Sequence, residues 1–273
     1  MKIVTCFLFI NQVLTCMGQP NCNMFKWKGD SLCYHACLEA TKAIEFEQGS
    51  KESQLHFDIA IELCPTLDYA YYEKAVPYLK RGEFNIWKKL IDKAVDLNPT
   101  EHLGYRGWCR YQFLRDYTGA IEDFQMLETI LPYNLGYSVN GDYHLLVAKA
   151  LCYEGLGNYA KAISIIETQL SSEKYHPLPY DYFHVGVLKL KSGDYHGAIT
   201  ALMKEIEIND YLADTYFYLA ICYKKLLLKK EYASCLQKAK EFYLQGKRRV
   251  DDYTEPMDKV YLTDIDQELI NGW

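Results

Sequence analysis

The chain has 273 residues, 49% hydrophobic and 24% charged, with a formal net charge of −6. That composition excludes a collagen and a wholly disordered chain and leaves enough apolar material for a sizeable core. The acidic balance argues against nucleic acid as the main partner, because phosphate binding needs clustered Lys and Arg.

The first eighteen residues differ from the rest. Lys2 is followed by an apolar run from Ile3 to Ile10, then Val13-Leu14, then the small-residue exit Cys16-Met17-Gly18. This is the pattern of a secretory signal at 1–18, and it predicts export to a periplasmic, envelope or secreted location with an N-terminus at Gln19. The run is shorter than the about 20 apolar residues a bilayer span needs, and no transmembrane span is expected elsewhere. Lipid anchoring at Cys16 is the alternative, with Thr15 a poor residue before a modified Cys.

Residues 19–33 form a lead-in. Cys22, Cys33, Cys37 and Cys64 crowd this end of the chain, so an exported protein has one bridge available here, with the pairing open. Cys109, Cys152, Cys222 and Cys235 lie inside apolar helical patterns and read as small buried hydrophobes. Cys33 and Cys37 are one helical turn apart, but His35 lies halfway round the helix, so no metal site is expected.

From residue 34 the chain repeats. Pro65, Pro99 and Pro132 each close an amphipathic stretch, FDIAIELCP, LIDKAVDLNP and DFQMLETILP. Between helical stretches stands a second marker: Gly82-Glu83-Phe84, Asp116-Tyr117, Gly157-Asn158-Tyr159, Gly193-Asp194-Tyr195 and Glu231-Tyr232. Gly tolerates the left-handed conformation that ends one helix, and Asp or Asn bonds the free N–H groups that open the next. Three residues after the aromatic stand Ala120, Ala162, Ala198 and Cys235, small enough for two helices to approach closely.

These features resemble the tetratricopeptide repeat family, whose unit is a helix pair of about 34 residues. The resemblance implies an all-α, right-handed superhelix (α-solenoid) of about six units, at 34–67, 68–101, 102–134, 143–176, 179–212 and 213–246. Departures are Trp87 where a small residue is expected, Lys149 where an apolar one is, a turn lengthened by Leu226 to Lys230, and Gly49-Ser50-Lys51 in place of the usual turn in the first unit. An insert at 133–142 and the stiff His176-Pro177-Leu178-Pro179 joint interrupt the array. Lys247-Arg248-Arg249 reads as charge favouring a helix C-terminus. The acidic C-terminal tail at 247–273 carries enough apolar residues to dock as a cap on the last helix pair, with an exposed binding segment as the alternative.

No catalytic constellation is present: no GxSxG, no GxxxxGK[ST], no paired GxGxxG and no HExxH. No cofactor and no metal are expected. The resemblance implies that the working surface is the concave face lined by first helices, and that the partner is a protein or peptide segment. Stepping along those helices places Tyr69, Tyr72, Glu73, Arg106, Arg110, Phe113, His144, Phe183 and His184 inward, with Tyr180, Phe217 and Tyr218 beside them. The family's clamp for a C-terminal carboxylate is absent, since Leu38, Glu73 and Gly107 stand at corresponding positions. Arg106 and Arg110 lie one turn apart, so their heads can converge on a ligand carboxylate, or pair within the chain. Exchanging both for Glu is expected to spare helicity and weaken capture several-fold. The function read from the sequence is a non-catalytic exported scaffold. The alternatives are a structural subunit of an obligate oligomer, using the convex face or tail, and more remotely an enzyme.

Overall fold

A computed structural model describes residues 20–271, so the signal-like segment and Cys16 lie outside the described residues. Among those residues the chain forms fourteen α-helices and no strand, with one isolated antiparallel bridge between Tyr137 and His144. No described helix is long and apolar enough to cross a membrane. The chain divides into two compact units, one ending at Leu90 and the other beginning at Ile91.

The N-terminal unit holds α1 (Asn23–Trp27), α2 (Ser31–Lys42), α3 (Lys51–Leu63), α4 (Asp68–Lys80) and the first half of α5 (Phe84–Leu97). Asp30 and Ser50 open α2 and α3 by accepting from the amides of Cys33 and Ser53. The core is made of small side chains, among them Ala36, Ala40, Ala43, Ala60 and Ala70 around Phe57 and Leu67. Through it run two disulfides, Cys22–Cys37 and Cys33–Cys64, where the sequence suggested one bridge with its pairing open. Gly49, in the substitute turn of this unit, has φ +82°, and a Cβ there would sit 2.5 Å from the Pro77 Cβ. Only glycine fits that approach.

The C-terminal unit continues with α6 (Pro99–Cys109), a π-helical segment at Arg110–Leu114, α7 (Tyr117–Ile130), α8 (Leu145–Gly155), α9 (Tyr159–Leu170), α10 (Asp181–Lys191), α11 (Tyr195–Ile208), α12 (Ala213–Lys225), α13 (Lys229–Leu244) and α14 (Leu262–Asn271). The helices pack as consecutive antiparallel-type pairs, α6 on α7, α8 on α9, α10 on α11 and α12 on α13. The first members of neighbouring pairs also touch, α6 with α8 and α10 with α12. The turn chemistry is local. Asp116, Asn158 and Asp194 accept from the amides of Gly119, Lys161 and Gly197, at 3.0, 3.2 and 2.9 Å. Where the repeat lacks its glycine, Arg115 and Leu227 take the left-handed conformation instead, at φ 54° and 60°.

Ala120, Ala162 and Ala198 are fully buried where second helices meet their partners, and Cys235 is partly buried. The two irregular side chains are accommodated: Trp87 is buried, and buried Lys149 reaches out to Glu128 at 2.5 Å. The insert forms a small hairpin over Tyr137–His144, in which Ser138 donates to the Tyr143 carbonyl. At the far end α14 packs on α13, burying Ile265 among Tyr216, Tyr232 and Leu236.

Candidate functional site

In the N-terminal unit, Tyr69, Tyr72 and Glu73 share α4 and are half-buried. Tyr69 packs against the cysteine-rich core, and burial, reinforced by the Glu73 charge, raises its phenol.

In the C-terminal unit the two arginines converge on a carboxylate, and it belongs to the chain itself. Arg106 donates Nε and Nη2 to Asp123, at 3.0 and 2.6 Å, and Nη1 to Asp92 at 2.9 Å. Arg110 reaches the same Asp123 at 3.1 Å and donates to the Gly119 carbonyl at 2.9 Å. Burial pushes the Asp123 carboxyl above its ordinary range while both guanidiniums pull the other way. Phe113, in the π-helical segment, is half-buried. His144 caps α8: its Nδ1 accepts from the Leu146 amide, and its Nε2 faces the Asn134 side-chain oxygen at 3.0 Å. Burial lowers this histidine to about 4, so the ring is neutral. Phe183 and His184 are buried on α10.

What covers them is the chain's own C-terminal segment. After α13 ends, residues 247–260 leave the helix, run across α12 and α10 to the segment after α6, and loop back to α10 and α12. The Ala213 amide donates to the Lys247 carbonyl at 2.9 Å. Buried Asp214 accepts from the amides of Arg249 and Val260, at 3.0 and 3.3 Å. Gln112 donates to Asp251 and Thr254, at 3.1 and 2.6 Å, and Arg115 donates to the Glu255 carbonyl. Tyr218 donates to the Asp258 carbonyl at 3.2 Å. Arg249 is the deep anchor. Its guanidinium lies 4.5 Å from the Phe183 ring centre and 5.2 Å from that of Tyr180. It donates to the Met257 carbonyl at 2.8 Å and to the Tyr143 hydroxyl at 3.4 Å.

Local reading of Lys247-Arg248-Arg249 missed this anchor. Arg248 does serve the end of α13, stacking on Tyr243 at 4.7 Å, but Arg249 turns inward. The tail thus divides its work: α14 docks on the last helix pair and residues 247–260 line the first helices.

A second cluster fixes the far end of this strap. Lys191 bonds Glu154 at 2.8 Å and also holds the Asp258 carboxylate. The Glu154 carboxyl is pushed up to about 8 by burial and by the neighbouring Asp258 charge, with Lys191 opposing. Releasing the strap removes Asp258 and exposes Glu154, which returns toward an ordinary carboxylate value. The docked state therefore holds the extra proton. Docking is fully favoured below that ordinary value and weakens as pH rises through about 8, by at most about tenfold per pH unit. Hydrogen exchange at the 250–259 amides, corrected for intrinsic rate, should show protection falling between about pH 5 and pH 8 and levelling above. In Glu154→Gln the dependence should flatten, and an unchanged slope would refute the assignment.

Residues 143–176 match the tetratricopeptide repeat. No curated protein sequence matches the chain. Among solved structures, PilW, described as a widely conserved type IV pilus biogenesis factor, superposes with a TM-score of 0.60 at 14% identity, over 77% of this chain and 94% of that one. PilF of Pseudomonas aeruginosa gives 0.58 at 15% identity, over 77% and 92%. The C-terminal part of a TPR repeat-containing protein from Cytophaga hutchinsonii gives 0.58 at 15%, over 78% and 80%. At such identities the likeness establishes the fold.

Proposed function

We propose that this chain, a tetratricopeptide repeat protein by its repeat match and its fold, is a non-catalytic scaffold of the exported compartment that holds a protein segment along its first helices. One observation carries the reading: the first helices of the C-terminal unit already hold a non-helical loop of polypeptide, residues 247–260, by the contacts a bound peptide would use. Export is supported by the two disulfides, since such bridges persist in oxidising compartments, and by the signal-like start of the sequence. The similar PilW and PilF folds are compatible with an envelope role. Arg106 and Arg110 are engaged with Asp123, and the ligand-facing candidates in the C-terminal unit are Phe113, Tyr180 and Phe183.

Photo-crosslinking side chains placed at Phe113 and Tyr180, in the cell that makes the protein, are expected to trap the same protein repeatedly. A control at Lys161, exposed on second helix α9, should trap none of it. Capture from Lys161 but not from the first helices would sink the proposal.

A further inference from the structure

The strap has features of a ligand rather than of a structural segment. Between the end of α13 and the start of α14 it has no helix or strand, and uncommitted stretches of this length in compact domains are uncommon and are usually either functional or linkers. Of residues 247–261 only Arg249 and Val260 are buried, whereas Val250, Asp252, Tyr253 and Glu255 are exposed. The unit grips it through backbone carbonyls and amides, through Gln112 on Asp251 and Thr254 and Lys191 on Asp258, and buries one side chain deeply, that of Arg249.

That side chain is held expensively. No carboxylate lies within ion-pair distance of the Arg249 guanidinium among the described residues, and its two bonded acceptors are neutral. A buried charge so placed forgoes its hydration, which the nearby buried Asp214 carboxylate and the Tyr143 hydroxyl offset in part. The aromatic faces compensate in part. Buried His184, whose ring packs on Phe183 and Tyr143 at 5.5 and 5.7 Å, has no hydrogen-bond partner at either ring nitrogen, so an acceptor beside the cage is left unused.

The cage is also built independently of its occupant. Tyr180, one of its walls, has φ +78°, a strained conformation for a tyrosine. Glu205 on α11 holds it there by accepting from the amides of Tyr180 and Phe183, at 3.1 and 3.2 Å. Neither bond involves the strap.

We propose that the inner face of the C-terminal unit is an arginine-anchored peptide groove, occupied at rest by the chain's own looped residues 248–260, and that its partner is a non-helical protein segment whose arginine replaces Arg249. The inference rests on the scaffold reading above and adds the chemistry of the guest and the reason the groove is closed at rest. A partner must displace the strap, so its apparent affinity is lowered by the fraction of time the groove is filled.

The probe is a fluorescent peptide copying residues 247–260, KRRVDDYTEPMDKV, measured against the full chain by anisotropy. Arg249→Ala in the protein, which loosens the resident strap, should bind the peptide at least about tenfold more tightly than the unaltered chain. A peptide with alanine in place of its third residue should lose at least about tenfold. In the unaltered chain, millimolar peptide, comparable to the effective concentration of a tethered segment, should speed hydrogen exchange at 250–259 while α14 stays protected. That measurement decides the matter if the Arg249→Ala chain does not fold. Equal binding by both chains, equal binding of the alanine peptide, or undisturbed strap protection would each overturn the proposal. So would light scattering showing that Arg249→Ala chains dimerise by exchanging straps, which assigns the groove to a second copy. Crosslinking that traps no protein, with the peptide still bound, would remove the scaffold reading and leave the groove chemistry standing.

Discussion

Replacing Asp123 by Ala is expected to lower the stability of the C-terminal unit by about 3–5 kcal/mol, the usual effect of removing one member of a buried ion pair. The Asp123 side chain is only 3% exposed and faces two guanidiniums, one of them bidentate. Without it, Arg106 keeps Asp92 and Arg110 keeps the more distant Asp116 at 3.7 Å, leaving two positive charges close together in a partly dry site. Asp123→Asn preserves shape but neutralises nothing, and should fall between the two. Urea denaturation followed by circular dichroism measures the difference. A loss below about 1 kcal/mol would mean that the cluster behaves as a solvated surface pair. The same geometry alters the test suggested by the sequence. Exchanging both arginines for Glu would crowd new carboxylates around Asp123, so melting is now expected to fall, and any loss of capture would report on folding before it reported on a ligand.

Removing the Cys33–Cys64 bridge by a double change to Ala is expected to cost about 3–4 kcal/mol, the chain-entropy value for the 31-residue separation it closes. The effect is large because the cluster the bridges run through is poor in apolar area: mostly alanines and cysteines, with Phe57 and Leu67 its larger buried members. Small side chains remove little surface from water, so less hydrophobic free energy opposes unfolding. The bridges interleave, Cys22 with Cys37 and Cys33 with Cys64, tying α1, α2 and α3 into one knotless block. Full reduction should therefore lower melting further than either single loss, with amides of α2 and α3 losing protection first. An unchanged melt after verified reduction would show that the helices hold without them.

The helix pairs were legible because their signals are local. A carboxylate or amide at Asp116, Asn158 or Asp194 and an alanine one turn later act within a few residues of where they stand. The left-handed Arg115 and Leu227 were not legible, since nothing in those side chains favours that conformation. Pairing of four cysteines allows three connectivities, and spacing alone does not choose among them. Helical phase placed Arg106 and Arg110 side by side, and it carries no information on Asp123, which arrives from the next helix. It placed Phe183 and His184 inward too, but their cover comes from residues more than sixty positions later, beyond any periodic pattern.

The returning strap also changes what kind of object the C-terminal unit is. Arrays of helix pairs are ordinarily one-dimensional: each repeat touches its neighbours, stability is a sum of nearest-neighbour terms, and the ends fray. Here a hydrogen bond between Gln112 and Thr254 spans 142 residues and joins the last pair to the segment after α6. That contact closes the array on itself, so the unit should melt as one cooperative block rather than unzip from its C-terminal end. Closing so long a loop also makes it a slow folder for a helical protein, because the closure entropy must be met before the strap's contacts repay it. With the strap out, the same helices become an open chain of repeats again, free to fray.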